Sequence, residues 1–411
     1  MLCAIQGSRN LNESTLICGG VTGHIYVWYQ QKITNVVNAH ETSIYSICKL
    51  MQGYASVSKD GLIKVWSNNF SLLKSFNVLS FSPRPDLSIC NLICCNTISS
   101  KLLVGLRGSE VYEISLPTNT HMLLMAGHSH KQLHGLATNP VNADEYVTIG
   151  DDGILRMWSI RKKTCLKRID VGFCGRAITW SLNGSFIVCG LGGNSSSAAK
   201  DGGFVVFNAK TLDILFEDRK AKKYITDIKY SPDNTFLAIA SYDGKVYLHN
   251  SVTYNLVKEL EAPSKNCGIL KVDFSFDSKI IRLATSLNEL LFFTVADSEL
   301  ILSPNATRDI VWYSTTVPYS WLTQGACRPF IEGVSILALA LNPSKNMIAV
   351  SYQSGEVKLF NYPCQTLESK SLTLGGIATQ ATKLLFTDDN QYLLLLDSYQ
   401  RAIIQYKLTG L

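Results

Sequence analysis

Charge is scarce in this 411-residue sequence: Asp, Glu, Lys and Arg together make up 17%, against a usual ~25%. Lys and Arg outnumber the acids 38 to 32, a formal net charge of +6. So small an excess excludes a highly charged disordered tail and is too weak to imply nucleic acid, though it suits an acidic partner surface. Long apolar runs are also lacking. None approaches the ~18 residues of a membrane span; Val334–Leu341 is one of the longer ones. No charged-then-apolar leader pattern follows Met1. Helical periodicity is nearly absent. The 12 cysteines form no paired CxxC motif and no Cys/His run with zinc spacing. Most, such as Cys18, Cys48 and Cys189, lie in apolar strand-like runs. They read as buried thiols of a reducing compartment rather than as a disulfide framework. No metal or cofactor is expected. What is abundant is apolar residues, 46% of the chain, enough for a sizeable core.

A repeat organises these residues. Each copy is a strand, a tight turn and a second alternating strand that ends on a large side chain. Examples are Ser56–Trp66 (SVSKDGLIKVW), Thr148–Trp158 (TIGDDGILRMW), Ile239–His249 (IASYDGKVYLH) and Val350–Phe360 (VSYQSGEVKLF). Nine copies end at residues 28, 66, 114, 158, 207, 249, 293, 360 and 406. In six of them Gly stands five residues before the end: Gly23, Gly61, Gly153, Gly202, Gly244 and Gly355. Glycine permits the positive φ of a two-residue hairpin, and Asp-Gly is the strongest such signal. Alternation such as Ile63-Lys64-Val65-Trp66 sends neighbouring side chains to opposite faces. Most spacings fall between 38 and 49 residues, with one of 67. That period is the one of WD-repeat propeller blades, each a four-stranded antiparallel sheet. The expected fold is all-β, a propeller of such blades.

One blade carries a polar set: His40, then Ser58 and Asp60 at the hairpin, then Trp66. Such a histidine can join a turn aspartate to a hydroxyl and an indole N–H, satisfying groups that would cost ~1–3 kcal/mol each if buried unpaired. His128, Asp152 and Trp158 repeat the set in part, with Gly150 in the place of the hydroxyl. The grouping imitates a catalytic triad, but its recurrence at blade spacing marks it as structural. The Gly/Ser-rich stretch Gly190–Gly193 with Ser195–Ser197 imitates a phosphate loop, yet no Lys-Ser/Thr and no helix follows. It reads as a long hairpin loop.

Several motifs are more specific than the blade. Asn38-Ala39-His40 leads into Ser43–Cys48, and Gly127-His128 is followed by His134-Gly135-Leu136-Ala137-Thr138. Tyr224–Tyr230 runs into Ser231-Pro232-Asp233-Asn234 and Phe236–Ser241. Thr307-Arg308-Asp309-Ile310-Val311-Trp312 and Gly355–Phe360 with Tyr362-Pro363-Cys364 complete the set. Together they resemble the echinoderm microtubule-associated protein-like family over essentially the whole sequence. The resemblance implies two joined propellers and binding to tubulin or microtubules. No heptad region is present, so coiled-coil assembly is not implied. The sequence opens at Leu2-Cys3-Ala4-Ile5 as if in mid-blade and resembles the C-terminal portion of the tandem pair.

On that basis residues 1–115 supply about three blades that complete a preceding propeller. Residues 116–411 supply a second propeller with an irregular blade near 300–335, where the long gap and the aromatics Trp312, Tyr313, Tyr319 and Trp321 fall. Three blades alone leave open strand edges. Either they need missing N-terminal blades or a partner, or all nine blades form one larger ring.

Two basic clusters are candidate partner-binding loops: Arg161, Lys162 and Lys163, and Arg219, Lys220, Lys222 and Lys223. Tubulin surfaces are acidic, and complementary basic loops would speed association and make it salt-sensitive. The expected function is non-catalytic recognition of tubulin, microtubules or axonemal proteins in the cytoplasm and cytoskeleton, with neither nucleic acid nor membrane as partner. One alternative is a general scaffold that never touches tubulin. Another is an enzyme using the central channel, which needs inward-facing ionisable residues with shifted pKa values; no such set is apparent in the sequence.

Overall fold

A computed structural model describes the chain apart from residues 7–14, 83–86, 97, 99, 130, 194–199, 319, 327–334, 367–368, 376–379 and 410–411. Its described residues form nine antiparallel sheets, seven of four strands and two of three, each built from consecutive strands. No described helix is long and apolar enough to cross a membrane. The chain divides into two compact units, Met1–Ser129 and His130–Leu411. The sequence spacing placed this boundary after residue 115. It lies further on because Thr120–Ala126 pairs with Glu110–Ser115 as the outer strand of the third sheet.

The hairpins explain the repeat. All six turn glycines named above have positive φ, from 68° at Gly153 to 94° at Gly244. Their backbone then ties blade to connection: the carbonyls of Gly61, Gly153 and Gly244 accept from the amides of Val78, Val171 and Ala262, just past each outer strand. The turn aspartates close the loop from the other side. Asp60, Asp152 and Asp243 each accept from the amide two residues on, at 2.9–3.2 Å. At the opposite end of the blade, Ser231-Pro232-Asp233-Asn234 makes the inner turn, with Asp233 accepting from the Ser231 hydroxyl and the Thr235 amide.

The first unit holds three sheets in a row. Their inner strands are Cys3–Gln6, Ile44–Leu50 and Cys90–Cys95, and the first packs on the second and the second on the third. Ile17, Ile25, Ile44 and Trp66 fill one interface, and Val57, Ile63, Leu102 and Ile114 the next.

The second unit holds six sheets and closes on itself. Its inner strands are Leu133–Thr138, Gly175–Trp180, Ile225–Tyr230, Ile269–Phe274, Ile336–Leu341 and Ala381–Phe386. The last sheet returns to the first. The Leu133 amide donates to the Ser398 carbonyl at 3.1 Å, and Leu133, Leu136, Tyr146, Leu394 and Leu396 share one core. A nine-blade ring is therefore not what the chain forms.

Between the fourth and fifth of these sheets the regular pattern lapses, where the 67-residue gap predicted an irregular blade. Among the described residues of 302–326 there is no strand, only two 3-10 turns, Pro304–Thr307 and Trp321–Ala326. A buried ion pair holds the segment instead. Asp273 accepts from Arg282 Nη2 at 3.0 Å, from the amides of Thr316 and Val317 at 2.8 and 2.9 Å, and from the hydroxyls of Ser314 and Thr316. Arg282 in turn stacks 4.2 Å from the Trp312 ring. Burial alone would raise the Asp273 carboxyl, but Arg282, Lys229 and these donors bring it below its ordinary value. Of the four aromatics noted above, Trp312 is buried, Tyr313 and Trp321 are about 42% exposed, and Tyr319 lies outside the described residues.

Candidate functional site

The triad-like set forms, but with a different hydroxyl. His40 Nδ1 lies 3.0 Å from Asp60 Oδ2, and His40 Nε2 lies 2.8 Å from the hydroxyl of Ser56, not of Ser58. Trp66 Nε1 donates to the same Ser56 oxygen at 2.8 Å. Strand register explains the difference. Trp66 pairs with Tyr54, so Ser56 is its diagonal neighbour, within reach of an indole. Ser58 lies two residues, ~7 Å, further along, and bonds Thr42 at the hairpin mouth. Burial would raise the Asp60 carboxyl, yet the His40 contact and the Leu62 amide bring it below the ordinary range. Ser56 is fully buried and His40 is 3% exposed. With the indole on its oxygen, the serine has no face left for a substrate carbonyl.

The members of the second set belong to different units. His128 falls in the first unit, Asp152 and Trp158 in the second. Trp158 Nε1 donates to the Thr148 hydroxyl, the position equivalent to Ser56. Asp152 accepts from the buried Arg156 at 2.7 Å.

The two basic clusters occupy opposite ends of the second unit's sheets. Arg161, Lys162 and Lys163 form the turn between a third and a fourth strand, Ile154–Ser159 and Thr164–Asp170. Arg219, Lys220, Lys222 and Lys223 lie on the connection from the outer strand Ile214–Arg219 to the next inner strand. Since neighbouring strands are antiparallel, these loops open on opposite faces. All seven residues are exposed. Lys220 stands 3.5 Å from Asp218, Lys223 lies over the Tyr242 ring, and the Arg161 guanidinium reaches no closer than 4.0 Å to Asp144. Gly192 and Gly193, from the glycine-rich stretch, open on the same face as Lys220 and accept from Arg176 at 3.2 and 2.9 Å; Ser195–Ser197 lie outside the described residues.

The sequence revealed no cluster of ionisable groups at the channel, and here the structure corrects it. The inner strands of the second unit enclose a central channel. Each begins with a one-residue bulge, between Leu133 and Gly135, Gly175 and Ala177, Ile225 and Asp227, Ile269 and Lys271, Ile336 and Ala338, and Ala381 and Lys383. A bulge re-aims the side chain it carries. Four of these extra residues, His134, Arg176, Thr226 and Thr382, line one mouth of the channel. The residue following the bulge is polar in three strands: Asp227, Lys271 and Lys383.

Electrostatics at this mouth are uneven. Asp151 Oδ1 stands 3.3 Å from both His134 Nε2 and Arg176 Nη2, and Arg176 Nη1 donates to His134 Nε2 at 2.7 Å. Burial lowers the His134 pKa; Asp151 opposes this and Arg176 reinforces it, as fits a neutral ring accepting from the guanidinium. Deeper in, burial pulls the Lys383 amine down to about 7, with Lys271 and Lys229 adding to the effect and Asp227 opposing it. At the far end, burial and the neighbouring Asp389 raise Asp388 to about 6. Among the described residues no group of three or more His, Cys, Asp or Glu is placed to hold a metal ion. The eleven described cysteines are free, six of them buried.

Blades of this pattern, with hairpin glycines, turn aspartates and an indole tied to a strand hydroxyl, define a WD-repeat β-propeller protein. Residues 133–408, about two thirds of the chain, match the family described as echinoderm microtubule-associated protein second beta-propeller. The chain belongs to that family. Ciliary WD repeat-containing protein ctxp80 of Euplotoides octocarinatus is 27% identical, over 95% of this chain and 55% of that protein. Echinoderm microtubule-associated protein-like 2 of Homo sapiens is 24% identical, over 97% and 60% respectively. Human echinoderm microtubule-associated protein-like 1 is 24% identical over 95% of this chain and 47% of its own length. The chain thus spans about half to three fifths of the curated relatives it matches.

Proposed function

We propose that this protein is a non-catalytic microtubule-binding propeller protein that acts by surface recognition at the cytoskeleton. The family match over residues 133–408 carries the reading, since the relatives are named for association with microtubules. Rigid sheets hold the loops, and binding residues concentrate on loops so held. The loop favoured is Arg219–Lys223. This cluster combines four exposed cations on a single connection. Exposed cations facing acidic tubulin would give binding that weakens with salt over a Debye length of ~10 Å. The three blades of the first unit would then gain their missing neighbours from further blades outside these 411 residues, because an open row leaves sheet faces unpacked.

The test is co-sedimentation of the full chain with microtubules across a salt series. Reversing Lys220, Lys222 and Lys223 to glutamate should lower the affinity several-fold at low salt, and the gap should close as salt rises. Reversing Arg161, Lys162 and Lys163, on the opposite face, should change little. Unchanged binding of the first variant at every salt concentration would remove this loop from the interface. No sedimentation of the unaltered chain would favour the second reading, a scaffold for ciliary or axonemal complexes, which the likeness to a ciliary WD-repeat protein supports.

A further inference from the structure

Three unpaired lysines in one channel have no part in the blade architecture. Lys229, Lys271 and Lys383 come from three different inner strands and line a single cavity. Among the described residues none has an ion pair or hydrogen bond of its own. All three are half-buried, and like charges gathered away from bulk water are costly unless something compensates them. The acids nearby do so only in part. Asp227 opposes the fall at Lys383 while accepting from the Val272 amide at 3.2 Å, Asp273 acts on Lys229 but is paired with Arg282, Asp151 is engaged by His134 and Arg176, and Asp388 lines the lysines' cavity at the end away from His134 and Arg176. The mouth cavity, about 260 Å³, is lined by His134, Arg176, Lys271 and Lys383 together with Thr226, Thr382, Ser398 and Tyr399; the Thr226 and Thr382 hydroxyls donate to the carbonyls of Ile269 and Leu396, which leaves those of Ser398 and Tyr399 for a ligand. That is far more room than one water needs, and hydroxyls beside cations are the donors an oxyanion requires.

We propose that this channel binds one small oxyanion, of the inorganic phosphate or sulfate kind, between Lys271 and Lys383 just inside the mouth guarded by Arg176. Two ammonium groups and the hydroxyls of Ser398 and Tyr399 meet a tetrahedral anion from several sides. The anion relieves the repulsion between the lysines, and the protein binds it without any bond being made or broken. Arg176 is held by the Gly192 and Gly193 carbonyls, so its guanidinium is set in place before the anion arrives. The site is independent of the microtubule reading.

The experiment uses the full chain, titrated with phosphate and with sulfate against chloride at matched ionic strength, and reads both melting temperature and heat of binding. The expected result is a saturable rise in Tm with each oxyanion, as for any ligand that binds only the folded state. Lys383→Met and Lys271→Met should each weaken binding at least tenfold. Without oxyanion, Lys383→Met should melt at or above the unaltered protein, because a desolvated amine is gone; a purely structural lysine would lower it. Sulfate keeps its charge across neutral pH, so it isolates the protein's own titration. Its affinity should fall as pH rises through about 7, where Lys383 loses its proton, and binding below that pH should occur with little proton uptake while binding above it draws a proton onto the amine. Equal Tm rises in both variants would mean general salt exclusion and would overturn the site. So would the absence of saturation below about 10 mM, or binding of an acidic peptide in place of the free ions.

Discussion

Ser56 and Ser58 show how two identical side chains on one strand face differ in consequence. Both are fully buried. Ser56 joins the indole of Trp66 to the ring of His40, and through it to Asp60, whereas Ser58 serves the turn through Thr42. Removing the Ser56 hydroxyl leaves two buried partners unmet at about 1–3 kcal/mol each. Ser56→Ala should therefore lower the denaturation midpoint more than Ser58→Ala does, by about 1–2 kcal/mol in unfolding free energy. Equal losses would mean the network contributes nothing beyond packing. The residue types were readable in the sequence, but not which hydroxyl the indole reaches. That depends on which residue stands opposite Trp66 across the hairpin, a matter of strand register.

Hairpins and bulges are where local sequence acts most directly. A glycine at a b–c type turn, between the second and third strands of a sheet, is needed for its positive φ, and at Gly23, Gly202 and Gly244 also because the next connection packs against its α-carbon. A Cβ added at Gly202, with φ +80°, would sit 2.1 Å from the Ala221 carbonyl oxygen; one at Gly172, with φ +77°, would meet nothing within 4 Å. Gly172→Ala should cost only the left-handed backbone, about 1–2 kcal/mol. Gly202→Ala should cost clearly more, since backbone must move, and urea denaturation of the two variants compares them directly. These turns were legible because Asp-Gly is a local signal. The bulges were not. They add one residue to a strand without altering its composition, so nothing in Gly175-Arg176-Ala177 reveals that Arg176 turns toward the channel mouth.

The unit His130–Leu411 carries its own closure, from Leu133 bonded to Ser398 to the core that Leu136 and Tyr146 share with Leu394 and Leu396. It also spans its own irregular segment with the buried Asp273–Arg282 pair. Expressed by itself it should melt cooperatively with an all-β circular dichroism spectrum. Residues 1–129 by themselves, three sheets in a row, should not, because their end sheets keep a face that only another blade can cover. A cooperative transition in the shorter piece would show that three blades suffice, and would remove the reason for further blades.

The all-β class and the WD-repeat blade followed from the sequence alone, because each blade is built from neighbours in the chain and its turns declare themselves. The channel did not. Lys229, Lys271 and Lys383 stand one to a blade, 42 and 112 residues apart, each looking like an ordinary polar residue of a strand. Only ring closure places the inner strands around one axis, and only there do isolated charges become a common electrostatic site.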